Sequence, residues 1–128
     1  MDNLNVLLLD DEPDMHQLFR LYFKDIYNIV SAYSYDEAVD IFESKPEGFF
    51  KLYIIDIILS LGGKTGLDFA KEYLDPCKTI AISGDLTSRG AVNELIEMGI
   101  FAGFQKPMTM GCMFLSMNSI IKCELGMV

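Results

Sequence analysis

Short apolar runs recur along the chain at Val6–Leu9, Ile29–Ala32, Leu52–Ile55 and Thr79–Ile82, with a weaker one at Phe101–Phe104. Between them, apolar residues return every three or four positions. A strand buried on both faces reads as a continuous apolar run, and a helix that covers it needs only one stripe, so the alternation predicts a parallel sheet with helices on both sides. After the first run Met15, Leu18, Phe19, Tyr22 and Phe23 form one stripe on a helix that Pro13 can open. Ser34-Tyr35-Asp36-Glu37 reads as a capping box, with Ser34 bonding the Glu37 amide and Glu37 reaching back. The helix it starts faces inward through Ala38, Ile41 and Phe42 and ends at Pro46-Glu47-Gly48. A third helix starts near Thr65 or Gly66 and buries Leu67, Ala70 and Leu74 before Pro76. A fourth runs from about Ser88 to Met98, closed by Gly99 in a left-handed cap. The last follows Pro107 and sets Met110, Met113, Phe114, Met117, Ile120 and Ile121 on one face. The prediction is a doubly wound α/β fold of five βα units, a single domain over residues 1–128.

Composition narrows the classes this fold can serve. The chain has 128 residues, 51% of them hydrophobic, with 10 Lys and Arg against 19 Asp and Glu for a net charge of −9. A chain of this size buries roughly two-thirds of its extended-chain surface, enough for a core without disulfide or structural metal. The acidic balance works against a broad phosphate-binding or anionic-membrane surface, so neither direct nucleic-acid nor membrane binding is expected. Cys77, Cys112 and Cys123 are odd in number, lack C-x-x-C spacing and sit among apolar residues in two of three cases, so they are expected as buried thiols of a reducing compartment. Asp2, with no Lys or Arg ahead of Val6–Leu9, does not suit a signal peptide, and no apolar stretch nears the ~18 residues of a membrane span. A soluble cytoplasmic protein is expected. His16, the only histidine, lies off its helix's stripe and is expected to be solvated. Gly63-Lys64-Thr65 imitates the end of a P-loop, but Ile58 stands where the first glycine should be. Gly62 and Gly63 are expected to supply positive φ in the enlarged loop.

In an open parallel sheet, ligands bind beyond the carboxyl ends of the strands. Those ends carry Asp10-Asp11-Glu12 after the first strand, Asp56 after the third, Ser83-Gly84-Asp85 after the fourth and Lys106-Pro107 after the fifth. Carboxylates converging at one edge repel one another unless a cation is shared, and a hard divalent ion with oxygen ligands such as Mg²⁺ suits them. Lys106 adds a point charge for a second anionic group, and the Ser83 hydroxyl a donor for a phosphoryl oxygen. The set describes a phosphoryl-transfer site. Glu12 is expected to be a solvated acid at the helix start or a group just outside the metal's own ligands, and Asp85 to be solvent-exposed.

An acidic pair after the first strand, a lone Asp after the third, Ser with a small residue after the fourth and Lys-Pro after the fifth resemble the response-regulator receiver domain, the CheY-like family. The resemblance covers Val6 to about Lys122. It implies the flavodoxin-like (βα)5 fold with strand order 2-1-3-4-5. It also implies Mg²⁺-dependent phosphorylation of Asp56 in a histidine-to-aspartate phosphorelay that switches partner interactions. Asp11 would bind Mg²⁺ directly and Asp10 directly or through water, with Asp56 and the Ile58 carbonyl completing the protein ligands. Ser83 would bond a phosphoryl oxygen, and Lys106 would pair with the carboxylate and then the phosphoryl group. The partner would be a histidine kinase or phosphotransfer protein, with an output partner the sequence does not name and a homodimer left open. Chemistry would stop at self-phosphorylation and autodephosphorylation.

Three departures stand out. Ser60-Leu61 replaces the customary Pro four residues after the phosphoacceptor, and Gly66 lies ten residues beyond Asp56 in place of eight, which implies a longer loop. Gly103 occupies the family's aromatic switch position. Two other classes compete: a haloacid-dehalogenase-like phosphatase, imitated by Asp10-x-Glu12, and a degenerate receiver serving only for docking. The phosphatase would need a further acidic pair near the C-terminus, where the segment after Lys106 offers only Glu124.

Overall fold

The computed structural model describes residues 4–59, 63–86, 89–124 and 126. Five parallel strands form one sheet in the order β2-β1-β3-β4-β5. In chain order the elements are β1 (Asn5–Leu9), α1 (Pro13–Phe23), β2 (Asn28–Ala32), α2 (Tyr35–Glu43), β3 (Phe50–Asp56), α3 (Gly66–Tyr73), β4 (Thr79–Ser83), α4 (Arg89–Met98), β5 (Ala102–Gln105) and α5 (Met110–Glu124). A 3₁₀ turn at Pro76–Lys78 leads into β4. The fold is the expected one. The last strand is displaced by one residue from the predicted Phe101–Phe104, and Phe101 stays 43% exposed outside it.

Alternation along the strands divides the core into two layers. Val6, Leu8, Ile54, Ile80 and Ile82 meet Phe19 and Phe23 of α1 and Met113, Met117, Ile120 and Ile121 of α5. Leu7, Leu9, Ile55 and Ala81 face Ala38 of α2, Leu67, Phe69 and Ala70 of α3 and Leu95 of α4. The methionine stripe of α5 is therefore core. All of β4 is buried, as a central strand of such a sheet must be. Among the described residues, no helix is long and apolar enough to cross a membrane.

Local signals start the helices largely as expected. Pro13 occupies the first turn of α1. Ser34 Oγ accepts the Glu37 N–H at 3.1 Å, but the Glu37 carboxylate takes the N–H of Tyr33, one residue earlier than a capping box prescribes. The complete box belongs to α3: Thr65 Oγ1 accepts the Asp68 N–H and Asp68 Oδ2 accepts the Thr65 N–H at 2.7 Å. Gly63 and Gly99 have φ of +74° and +78°, as their turns demand, while Gly62, Ser60, Leu61 and Ser88 lie outside the described residues.

Three expectations about burial fail. Cys77, Cys112 and Cys123 are all exposed, because two fall on the outer side of α5 and one in the 3₁₀ turn. On α1, Leu18 and Tyr22 are 40% and 51% exposed, while His16 is fully buried. The inward face is rotated from the apolar stripe to His16, Phe19 and Phe23, since the imidazole finds polar partners beneath the helix that periodicity does not count.

Gly66 shows how closely α3 approaches the end of β3. A Cβ there would lie 1.8 Å from the Asp56 carbonyl oxygen, and the Gly66 N–H bonds the Ile57 carbonyl at 3.2 Å. Gly66→Ala is expected to destabilise the protein by more than about 2 kcal/mol, the scale of forced overpacking. At Gly111 of α5 nothing lies within 4 Å of an added Cβ, so Gly111→Ala is expected to stabilise by roughly 0.5–1 kcal/mol. Urea unfolding of the pair checks both signs.

Candidate functional site

Four loops at the carboxyl edge of the sheet enclose a cleft of about 600 Å³ lined by Asp11, Glu12, Asp56, Ile58, Ser83, Asp85 and Lys106, among others. Ligand oxygens of Asp10, Asp11, Glu12 and Asp56 lie within 4.8 Å of one another. Asp56 ends a strand flanked on both sides and follows the buried pair Ile54-Ile55, so the residue is only 5% exposed. Its Oδ1 accepts the Ile58 N–H at 3.2 Å. Burial pushes the Asp56 carboxyl above the usual carboxylate range; a hydrogen bond from Lys106 opposes the rise and the nearby Asp10 charge adds to it.

Lys106 holds the acids together. The main chain brings it there, because its N–H donates to the Ser83 carbonyl at 2.7 Å as β5 leaves the sheet beside β4. Its Nζ lies 2.9 Å from Asp56 Oδ2, 2.8 Å from Glu12 Oε1 and 2.8 Å from Asp10 Oδ2. Burial would lower the ammonium's pKa, but the three carboxylates outweigh it and hold Lys106 above its ordinary value. The peptide that follows, Lys106–Pro107, is cis.

Asp10 is fully buried; its Oδ1 accepts the Glu12 N–H at 2.8 Å. Its Oδ2 is close to Lys106, yet that contact misses hydrogen-bond geometry and the oxygen has no aligned donor among the described residues. A buried carboxylate oxygen with charge nearby but no donor is suited to a cation. Asp11, half-exposed, lines the cleft. These oxygens and the adjacent Ile58 are groups that could hold a hard divalent ion.

The remaining predicted residues sit at the rim. Ser83 is 2% exposed, and its hydroxyl accepts the Asp85 N–H at 3.1 Å and donates to the Asp85 carbonyl at 3.3 Å. Ile58 is 62% exposed beside Asp56. Glu12 is exposed as expected, but it also pairs with Lys106, a role its position as helix starter did not suggest. Behind Ser83, a Cβ on Gly103 would stand 3.1 Å from Leu95 Cδ1 and 3.6 Å from Leu86 Cδ1, so two leucines already line the space beside it.

Sequence reasoning missed His16. Its Nε2 lies 2.6 Å from the Asp10 carbonyl and its Nδ1 2.7 Å from Ser31 Oγ, with the Tyr33 ring tilted against it at 4.2 Å between centroids. Burial lowers its pKa, with the Asp10 carbonyl and charge opposing and Arg20 assisting. Its spacing from Phe19 and Phe23, three and seven residues, was the available signal.

No protein-family model matches the chain, and no curated protein matches it. Solved structures do. A response regulator receiver domain protein from Clostridium thermocellum superposes with a TM-score of 0.82 and 22% identity, covering 98% of this chain and 99% of that one. A two-component response regulator from Clostridium difficile gives 0.81 and 19% identity, covering 94% and 97%. A structure described as adenylate cyclase from Rhodopirellula baltica gives 0.79 and 18%, covering 94% and 89%. The fold is that of response-regulator receiver, CheY-like, domains, and a shared fold leaves function to the site.

Because burial disfavours the charged Asp56, its folded-state pKa is raised. Such a group contributes stability below its unfolded pKa and loses it as pH rises through the folded one. Asp56→Asn keeps the shape and removes the charge, while Lys106 retains Asp10 and Glu12. The variant is therefore expected to be at least as stable as wild type at pH 7 without divalent cation, and to gain less on acidification towards pH 4. Urea midpoints across that range test both; a variant less stable at pH 7 would show that the Lys106–Asp56 pair outweighs burial.

Proposed function

We propose that this chain is a single receiver domain of a two-component phosphorelay, phosphorylated at Asp56 by a phosphohistidine protein. The observation that carries the reading is the convergence of four carboxylates within 4.8 Å at the strand edge of a receiver fold, with one lysine against three of them. Asp56 is the acceptor because it alone ends the central strand, faces the Asp10-Asp11 pair and touches Lys106. A carboxylate oxygen of Asp56 attacks the phosphorus; the new P–O bond forms as the P–N bond breaks and the imidazole of the donor leaves. Mg²⁺, when bound, neutralises charge shared between the acids and the phosphoryl oxygens.

The chain's own residues do the rest by position and charge. Asp11, Asp10, Asp56 and the Ile58 carbonyl are the proposed Mg²⁺ ligands. Asp11 is the direct one, since it lines the cleft while Asp10 is tied to Lys106 and the Glu12 amide. The Ser83 hydroxyl turns from the Asp85 backbone to a phosphoryl oxygen. Lys106 passes from Asp56 to the phosphoryl group. The domain works as a signalling switch in the cytoplasm, with a histidine kinase or phosphotransfer protein upstream. Acetyl phosphate with Mg²⁺ is expected to add one phosphoryl group to wild type and none to Asp56→Asn by intact-protein mass spectrometry. Modification of Asp56→Asn at the wild-type level would sink the assignment.

The phosphorylated form should be long-lived. Hydrolysis needs a water in line with the phosphorus, and positioning is most of what such catalysis offers. Ile58, exposed beside Asp56, has no group to hold that water and covers part of its path. Asp85 could hold one, but its charge resists a nucleophile approaching a phosphoryl anion. Ile58→Asn is expected to decay several-fold faster, well below the roughly 10²–10⁴-fold that a positioned proton-transfer group can supply. Loss of the label from wild type within seconds, or no acceleration in Ile58→Asn, contradicts it.

A further inference from the structure

We infer that His16 is a positioning residue for the cation site: its imidazole fixes the peptide plane that joins Asp10 to Asp11, and with it both carboxylates. The inference rests on the proposed receiver function and deepens it. Strand β1 ends at Leu9, and the Asp10 N–H still reaches the carbonyl of Ala32 in β2 at 3.1 Å. Ala32 is the last residue of β2, so that bond closes the β1–β2 ladder; past it the chain leaves the sheet, and the Asp10 carbonyl turns to His16 Nε2 at 2.6 Å. A carbonyl only accepts, so Nε2 carries the proton. The neutral ring then accepts at Nδ1 from the Ser31 hydroxyl, whose oxygen in turn accepts from Arg20 Nη2. Every donor in this chain has one acceptor.

The geometry makes the ring a strut. It stands on α1, leans on Ser31 of β2 and carries Tyr33 against its face, with no exposed surface. The peptide bond is planar, so holding the Asp10 oxygen also sets the direction in which the chain enters Asp11. Those residues supply the oxygen without a donor and the carboxylate lining the cleft. Groups that orient metal ligands from behind typically alter affinity by about 10–100-fold when removed. A histidine that merely filled the core would affect stability alone.

The test is titration of the full chain with MgCl₂ alone, followed by calorimetry and by the His16 Nε2–H resonance, which burial protects from exchange. Wild type is expected to saturate, with that resonance moving although the ring is no ligand. His16→Leu should weaken Mg²⁺ binding by about tenfold or more, and His16→Gln, whose amide can donate to the same carbonyl, should recover most of the loss. Met117→Ala, which opens the core at α5, should be destabilised with Mg²⁺ affinity unchanged. Wild-type affinity in His16→Leu overturns the inference and leaves the receiver reading standing, as does equal weakening in Leu and Gln variants. Should His16→Leu not fold, a wild-type Nε2–H resonance that stays still on Mg²⁺ saturation overturns it instead. A wild type that binds no Mg²⁺ overturns the receiver reading itself.

Discussion

The whole carboxyl edge of the sheet depends on one lysine. Parallel strands buried on both faces deliver Asp10 and Asp56 into a setting that water barely enters, and unpaired charges there are costly. Lys106 meets both, together with Glu12, from the end of an outer strand. The compensation is incomplete: several carboxylates gather around one ammonium, and one Asp10 oxygen has no aligned donor. A negative excess held by a rigid sheet is a standing demand for a further cation, and its loops leave a cleft through which one can arrive.

Much of this was legible in the chain. Continuous apolar runs located all five strands, and the polar residues closing them named the cleft before any geometry was available, because a parallel sheet sends every strand end to the same side. Helix starts were equally legible where a single side chain meets a single amide, as at Ser34 and Thr65. The failures share a physical origin. Periodicity counts apolar side chains, so it put Leu18 and Tyr22 inside and His16 outside, although an imidazole with both nitrogens bonded buries as readily as a hydrocarbon. The cysteines failed for the converse reason: apolar neighbours in sequence are not neighbours in space, and Cys112 and Cys123 lie on the far side of a helix whose other side is core.

Glu12 marks a subtler limit. Its place before Pro13 reads as a helix-opening acid, and it is exposed, yet it reaches a lysine 94 residues away in sequence. Contacts of that separation depend on strand order, which apolar runs alone do not specify. The three solved structures named above, at 18–22% identity, tell the same story from the other side: the fold persists where most residues differ. One bears the description of a cyclase, so the edge residues, and not the sheet, must carry any functional argument.

Gly103 changes what can be transmitted from that edge. The resemblance to receiver domains leads one to expect an aromatic ring at this point on β5, a bulky group able to swing as one piece. Here the space beside the strand belongs to the aliphatic ends of Leu86 and Leu95. Leu95 is itself a core residue, and close-packed side chains sit in single rotamer minima, so the strand carries no separate moving group at this point. In the proposed receiver, a change at the Ser83 end would therefore travel to α4 through core packing and not through one swinging group.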